Sequence, residues 1–559
     1  MAYIFKKKVK GIFFLYMGKN ARINGVSNRI KSRYLGPLER FEEYFAGSQT
    51  SIESVSHYEY GLSHTLKILM EQFLFQKIFR NNLHKRIDDP YLDKRIVLMV
   101  MNRLCDPCAK YTLDKWFCKT NLVNTYDIPE KELEAQKIYR AMDQLEMYSE
   151  DIENEICKTI MIQEKINLDP IYLDFTNQES YSKNDDSDLL EFGHNKRGHH
   201  DLLQVNLSLS CDSVSGIPFF HKSYPGNNND KQFIKLYTSE FRKKFDLLGY
   251  NDRITMIIDR GINGKKDFVL LRENRFDYIG GLIESEFPKY FNIPKSRLRN
   301  TYIHKRETKK DIIIKYSYTI EKIYDEEHLI ITLYNKENYE EKKTALDKKL
   351  NAYRKDCENQ LCEFKKEISE KTFQSFWNNT NKILKKLKEI NKEMFSLLRF
   401  NVSSYRFDLK WRIKENKTKY NRYLDNLGKY VLFTNKTKMK PDEVIRLFYG
   451  KQKIEKNFHY LKSNGYTNRY IRMGPMLHSK DERIKSHNYT CVLALQIYQI
   501  INHRLKRRGL DISVQSALDE LKNITRYYIK TQSYKTPLMY TTPLTPLQEE
   551  ILHALEVEI

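Results

Sequence analysis

Ile171-Tyr172-Leu173-Asp174-Phe175-Thr176 and Met256-Ile257-Ile258-Asp259-Arg260-Gly261 decide how this chain is read. In each, three apolar residues lead straight into an aspartate. A short apolar run of this kind reads as a buried strand. A carboxylate that closes such a run needs a partner, because burying an unpaired charge is costly. Two of them in one chain point to a shared counter-charge, and a metal ion supplies one while keeping both acids ionised. A turn or helix-cap role stays open for Asp259, which precedes Arg260-Gly261.

Outward from these strands the pattern is mixed α/β. Leu203–Ser210 alternates as L-Q-V-N-L-S-L-S, and Ile217–Tyr224 follows a Ser215-Gly216 turn, so the two form a hairpin. Pro225-Gly226-Asn227-Asn228-Asn229 turns into a helix from Asp230 to Leu248, with Asp230 as the expected N-cap. A helix and the short strand Tyr278–Ile283 come after Asp259. Between the two acids lies Gly193-His194-Asn195-Lys196-Arg197-Gly198-His199-His200-Asp201, a basic loop flanked by glycine. Lys196 and Arg197 offer phosphate contacts. Adjacent His199 and His200 are poorly placed to share one ion, and no zinc is expected.

The third acid is Glu455. Pro441-Asp442-Glu443 is a helix start, and the spacing predicts one helix to about Lys462. At about 100° per residue, Lys451, Glu455 and Lys462 share a narrow face with Phe448 beside them. Ile454, Phe458 and Leu461 fall on the neighbouring face, where they can bury against a sheet. The helix alone also fits a surface Lys–Glu pair. Together with Asp174 and Asp259 it makes an oxygen-rich site for Mg²⁺, with cations beside it suited to a polyanion.

The remaining chain divides by composition. Residues 1–50 read as a small β-rich module and 51–165 as helical, either a DNA-reading region or a bundle against the core. Residues 166–284 hold the first two acids. Residues 285–423 read as an insertion, strands first and then Lys/Glu-dense exposed helices. Residues 424–475 carry the strand Tyr430–Thr434 and the Glu455 helix, and 476–559 are helical. The 559 residues carry 96 Lys and Arg against 73 Asp and Glu, a net charge of +23. That balance suits a nucleic-acid partner, although the base composition of the gene can also produce it. No apolar run approaches the ~20 residues of a membrane span, and the eight scattered cysteines read as reduced thiols. A soluble, cytoplasmic, nucleoid-associated protein is expected.

In order along the chain, these blocks resemble the DDE transposases of prokaryotic insertion sequences, in the branch with a Tyr-Arg-Glu-Lys motif. The blocks are I-Y-L-D-F-T, G-H-N-K-R-G-H-H-D-L-L-Q, S-G-I-P-F-F-H-K-S-Y-P-G-N-N-N-D, I-I-D-R-G-I-N, Y-V-L-F-T-N, I-E-K-N-F-H-Y-L-K and E-R-I-K-S-H-N-Y-T-C-V-L-A-L. The resemblance implies a ribonuclease-H-like mixed-sheet core, with an N-terminal β/helical region and an insertion before the last catalytic helix. It implies two Mg²⁺ (or Mn²⁺) ions per site, held by Asp174, Asp259 and Glu455. It also implies cutting at terminal inverted repeats of double-stranded DNA, strand transfer into target DNA, and a homodimer on DNA. Lys462 matches the closing lysine, and Lys451 and Arg260 join it as DNA contacts. The sequence departs at two positions: Phe448 stands at the motif's Tyr and Lys451 at its Arg, and lysine lacks arginine's bidentate fork. A ribonuclease-H-like nuclease without strand transfer, and an inactive DNA-binding derivative, are the alternatives.

Overall fold

A computed structural model describes residues 2–9, 12–23, 26–38, 52–83, 88–182, 187–195, 198–199, 201–262, 264–306, 310–368, 373–405, 408–462, 469–531 and 536–559. The chain forms two compact units. The smaller comprises Met1–Met142, Asn468–Tyr470 and Ile501–Ile559. In it, Ala2–Val9, Ile12–Ile23 and Val26–Pro37 form an antiparallel meander. Ile52–Glu59 pairs with Thr525–Thr531, which in turn pairs with Leu538–Thr541. Helices Gly61–Gln72, Phe75–Leu83 and Leu92–Cys105 bury Leu66, Phe73, Phe79, Ile96 and Met99.

The larger unit, Asp143–Thr467 with Ile471–Ile500, is built on one nine-stranded mixed sheet. Its elements in chain order are α1 (Ser149–Gln163), β1 (Ile171–Glu179), β2 (Gln204–Asp212), β3 (Pro218–Pro225), α2 (Asp230–Leu247), β4 (Ile254–Ile257), α3 (Lys265–Glu273) and β5 (Phe276–Gly281). Next come β6 (Asn300–His304), β7 (Ile312–Ile323), β8 (Glu326–Asn335), α4 (Lys336–Ile368) and α5 (Phe373–Ile390). Then follow β9 (Leu398–Tyr405), β10 (Asp408–Glu415), α6 (Lys417–Asn426), β11 (Lys429–Thr434), α7 (Pro441–Tyr449), α8 (Gln452–Lys462) and α9 (Asp481–Arg507). The strand order across the sheet is β6-β7-β8-β11-β5-β4-β1-β2-β3. The meander β1-β2-β3 is antiparallel, β4 runs parallel to β1, and β5 runs parallel to β4.

Three details depart from the sequence expectations. First, β1 does not stop near Asp174 but continues to Glu179. Polar Asn177 and Gln178 extend it while buried, because each finds a bond: Gln178 Nε2 donates to the Met473 carbonyl at 2.8 Å and Asn177 Nδ2 to Gln204 Oε1 at 2.8 Å. Second, Asn229, not Asp230, caps α2. Its side chain accepts from the Gln232 N–H while Gln232 answers the Asn229 N–H, a reciprocal box. Third, the helix expected from Pro441 to Lys462 is two helices, broken at Gly450-Lys451. The Tyr172 hydroxyl donates to the Leu447 carbonyl at 3.0 Å, and a Cβ on Gly450 would lie 2.1 Å from that hydroxyl.

The polar half of the β2 alternation is buried as well, so every residue of that strand is inside. Helices cover both faces of the sheet here. Phe233 of α2 packs its ring on Phe175 and Tyr224, and α8 lies on β1 and β2. Strands β6, β7 and β8 widen the sheet, so the first part of the segment 285–423 is continuous with the core sheet. The chain then leaves β8 and returns as β11, which pairs with β8 through Tyr334 and Lys429. The Asn335 N–H donates to the Gly428 carbonyl at 3.0 Å and closes the neck of this excursion.

Candidate functional site

The parallel pairing of β1 with β4 sets the site. Ile171 faces Met256 and Tyr172 faces Ile257. Continued by two residues, this register puts Asp174 level with Asp259. β4 ends at Ile257, so beyond it β1 has no strand partner on that side, and the two carboxylates face an open notch. Asp174 is 15 % exposed and Asp259 55 %, so the notch opens on the Asp259 side. Asp174 Oδ1 also accepts the Phe175 N–H at 2.9 Å.

Lys451, at the break between α7 and α8, enters the notch. Its Nζ lies 3.4 Å from Asp259 Oδ1 and 3.8 Å from Asp174 Oδ1, and its side chain is only 8 % exposed. Burial pushes the Asp259 carboxyl up. The Lys451 ammonium, the Arg260 backbone N–H and the Arg260 guanidinium outweigh it, so the group is held below the usual aspartate value. Glu455 stands one turn further, at the start of α8. The protein packed around its carboxyl raises it, Lys451 lowers it, and Asp174 and Asp259 raise it again, for a net upward shift. The three acids therefore share one field. Among the described residues, no three His, Cys, Asp or Glu side chains stand close enough together to hold a metal ion. The cation between Asp174 and Asp259 is the Lys451 ammonium.

Helix α8 is fixed by its buried face. Ile454, Phe458 and Leu461 are buried as the spacing predicts. Buried Asn457 donates to the Gly216 carbonyl at 2.9 Å and accepts from Gln499 Nε2 at 2.6 Å. Lys453 Nζ donates to the Ser213 carbonyl at 2.5 Å. These bonds tie α8 to the β2–β3 turn and hold Glu455 on the side of the acids.

Lys462, at the far end of α8, donates to Asn177 Oδ1 at 3.4 Å. The Asn177 amide also holds the His194 carbonyl at 3.2 Å, so Lys462 stands beside the basic loop. Lys196 and Arg197 lie outside the described residues. Their neighbours are anchored: Asn195 Nδ2 and His199 Nδ1 both meet Glu179 Oε1, at 3.2 and 3.1 Å. Arg260 points across to β11, where its guanidinium lies 3.5 Å from the centre of the Tyr430 ring. Its Nε is buried without a hydrogen-bond partner among the described residues. Gly281 makes the room, since a Cβ there would lie 2.8 Å from Arg260 Cγ and 2.7 Å from the Tyr430 hydroxyl. Phe448 packs on the other side of Tyr430, ring centres 4.9 Å apart, and so serves the wall rather than the notch.

Sequence reading missed four participants. Asn177 was hidden by its polarity, Tyr430 read as a strand residue, and Lys342 read as part of an exposed helix. Burial and then the Arg260 guanidinium lower the Lys342 ammonium. Asp230 read as a cap, yet a Cβ on Gly261 would lie 3.1 Å from its carboxylate, close to the turn that carries Asp259.

No protein family's sequence pattern matches the chain, and no curated protein is similar to it. Among solved structures it is similar to a piggyBac transposase synaptic complex with hairpin DNA. The TM-score is 0.39 and the identity 7 %, over 82 % of this chain and 79 % of that one. An overlap that loose assigns no function. Among the described residues, no helix is long and apolar enough to cross a membrane.

Proposed function

We propose that this chain is a DDE-type transposase that cuts duplex DNA at the ends of a mobile element and joins those ends to target DNA. The observation that carries the reading is the β1–β4 register, which, continued two residues past the end of β4, brings Asp259 level with Asp174 of β1. The order of β3, β2, β1, β4 and β5 supports a ribonuclease-H-like core, because it makes the two acid-bearing segments neighbours. The donor set is all carboxylate oxygen, which fits Mg²⁺ or Mn²⁺. Asp174, Asp259 and Glu455 are the residues that would hold two such ions, and their carboxylates would have to draw together to do so. Divalent ions, when bound, supply the neutralisation and the activated nucleophile that in-line phosphoryl transfer needs.

The chain's own groups position the DNA. Arg260, its guanidinium braced on the Tyr430 ring, is the phosphate contact beside Asp259. Lys462, bonded to Asn177 of β1, is a second cationic point, and Lys196 and Arg197 are phosphate contacts on their sequence alone. Lys451 neutralises the acids in the free protein and turns to the strand once they have another counter-charge. Two element ends must be cut and joined together, so the working form is a homodimer on DNA.

The salt bridges of Lys451 favour one other reading, an inactive derivative that binds DNA with its acids permanently neutralised. Cleavage separates the two. Asp174→Ala, Asp259→Ala and Glu455→Ala should each lower Mg²⁺-dependent cleavage of a terminal-repeat duplex by about a thousandfold or more, the scale of losing essential transition-state stabilisation. Binding should stay within a few-fold. Near-normal cleavage by any one variant removes that residue from the site, and no divalent-dependent cleavage by the unaltered protein selects the inactive derivative.

A further inference from the structure

Strands β9 and β10 form a two-stranded ribbon apart from the main sheet, reading L-R-F-N-V-S-S-Y and D-L-K-W-R-I-K-E. In their antiparallel register Arg399 faces Lys414, Phe400 faces Ile413 and Asn401 faces Arg412. Side chains alternate across such a ribbon. One face carries Phe400, Trp411 and Ile413, which pack on a buried cluster that includes Leu346, Leu350 and Tyr353 of α4. The other carries Arg399, Lys410, Arg412 and Lys414, all exposed. None of these four joins an ion pair among the described residues. Helix α6 continues the exposed charge with Lys417, Lys419 and Arg422.

A solvated face does not account for this arrangement. Like charges directly opposite on neighbouring strands destabilise a ribbon, and Arg399 and Lys414 are such a pair. The nearby acid Glu415, opposite Leu398, belongs to the other face and meets Arg354 at 3.8 Å. Three cations along β10, ~6.8 Å apart, with Arg399 of β9 ~4.8 Å across from Lys414, match a polyanion with closely spaced charges. A duplex carries one phosphate per ~1.7 Å of axis, and its ~12 Å major groove admits a two-stranded ribbon. Helix α4 ties the ribbon to the acid site. Tyr339 of α4 packs against Gly428 just before β11, the strand whose Tyr430 braces Arg260, and Arg354, fifteen residues on, meets Glu415, about 22 Å away at 1.5 Å per residue. That is less than one ~34 Å turn of duplex.

We propose that the β9–β10 ribbon docks on double-stranded DNA, with Arg399, Lys410, Arg412 and Lys414 on its phosphates. The proposal rests on the DNA-processing reading above. Its test is R399Q/K410Q/R412Q/K414Q in the full chain, carrying Asp174→Ala and assayed without divalent ions. Binding to a 40-bp duplex is read by fluorescence anisotropy over ~50–200 mM salt. At ~0.9 in slope per phosphate neutralised, the dependence of log K on log salt should flatten by roughly three to four. The variant's melting temperature should equal or exceed the parent's, because a like-charge pair is gone. If it falls, the pairs R399Q/K414Q and K410Q/R412Q, each expected to give half the change, take its place. An unchanged slope in a folded variant overturns the proposal. So does weaker retention on heparin with duplex binding unaltered, or a parent that does not bind duplex. Since the readout needs no cutting, Mg²⁺-dependent cleavage by the Asp174→Ala parent would refute the catalytic assignment and leave the ribbon result standing.

Discussion

Lys451 sits where two carboxylates on neighbouring strands would otherwise repel across an open notch. One ammonium relieves both, and its stem is buried at the joint between α7 and α8. Removing it should make the free protein depend on another cation. With Lys451→Met we expect a loss of about 1 kcal/mol in EDTA, small because Asp259 faces solvent. Added Mn²⁺ should then raise the melting temperature more than in the unaltered protein. Lys451→Arg should keep the parental profile. Equal Mn²⁺-induced shifts in the Met variant and the unaltered protein would show that Lys451 does not compete for the acids. The burial of Ile454 beside Glu455 and the apolar runs that each aspartate closes were legible from sequence. The Lys451 bridge to the two aspartates was not, since that lysine lies 277 positions from Asp174 in the chain (451 − 174 = 277).

Two helices show how element ends depend on remote groups. Residue 450, the C-cap of α7, must be glycine because the Tyr172 hydroxyl of β1 fills the space where its Cβ would stand. That glycine was the local signal of a break, and the apolar spacing running on through Leu461 overrode it. Gly450→Ala should cost about 1–3 kcal/mol by overpacking. Tyr172→Phe removes the blocking hydroxyl, so the double variant should lose less than the sum of the two singles. Strict additivity in urea unfolding would mean the two residues do not meet. In the smaller unit, Glu59 Oε1 accepts the Leu62 and Ser63 N–H groups at 2.8 and 3.3 Å, at the start of Gly61–Gln72. Its Oε2 is buried without a partner among the described residues. Burial pushes this carboxyl up to about 7, against those bonds and Lys522. A raised folded-state value means that protonation accompanies folding. The stabilisation is full below the unfolded value near 4.5 and is lost as pH rises through about 7. Between pH ~5 and ~8 the melting temperature should fall, and Glu59→Gln should flatten that fall. Parallel profiles would show that the carboxyl does not titrate there.

At the scale of the molecule, strand identity was easier to read than strand neighbourhood. The runs at Ile171 and Ile254 announce strands, but only pairing makes β1 and β4 adjacent and sets Asp174 level with Asp259. The ribbon was concealed for a different reason. Its Arg and Lys alternate with Phe400, Trp411 and Ile413, a period of two set beside long Lys/Glu-dense helices that dominate composition. The neck at Asn335 and Gly428 carries a wider consequence. The 92 residues from Lys336 to Leu427 (427 − 336 + 1 = 92) leave and re-enter between two paired strands, closed by one backbone bond. In architectural terms this is a long excursion from one strand pair, tied back beyond its neck where Asn426 bonds Glu284 and Asn292 and Lys295 stands over the Tyr339 ring. Its length and sequence can therefore vary between those ties while the register that sets Asp174 level with Asp259 stays as it is.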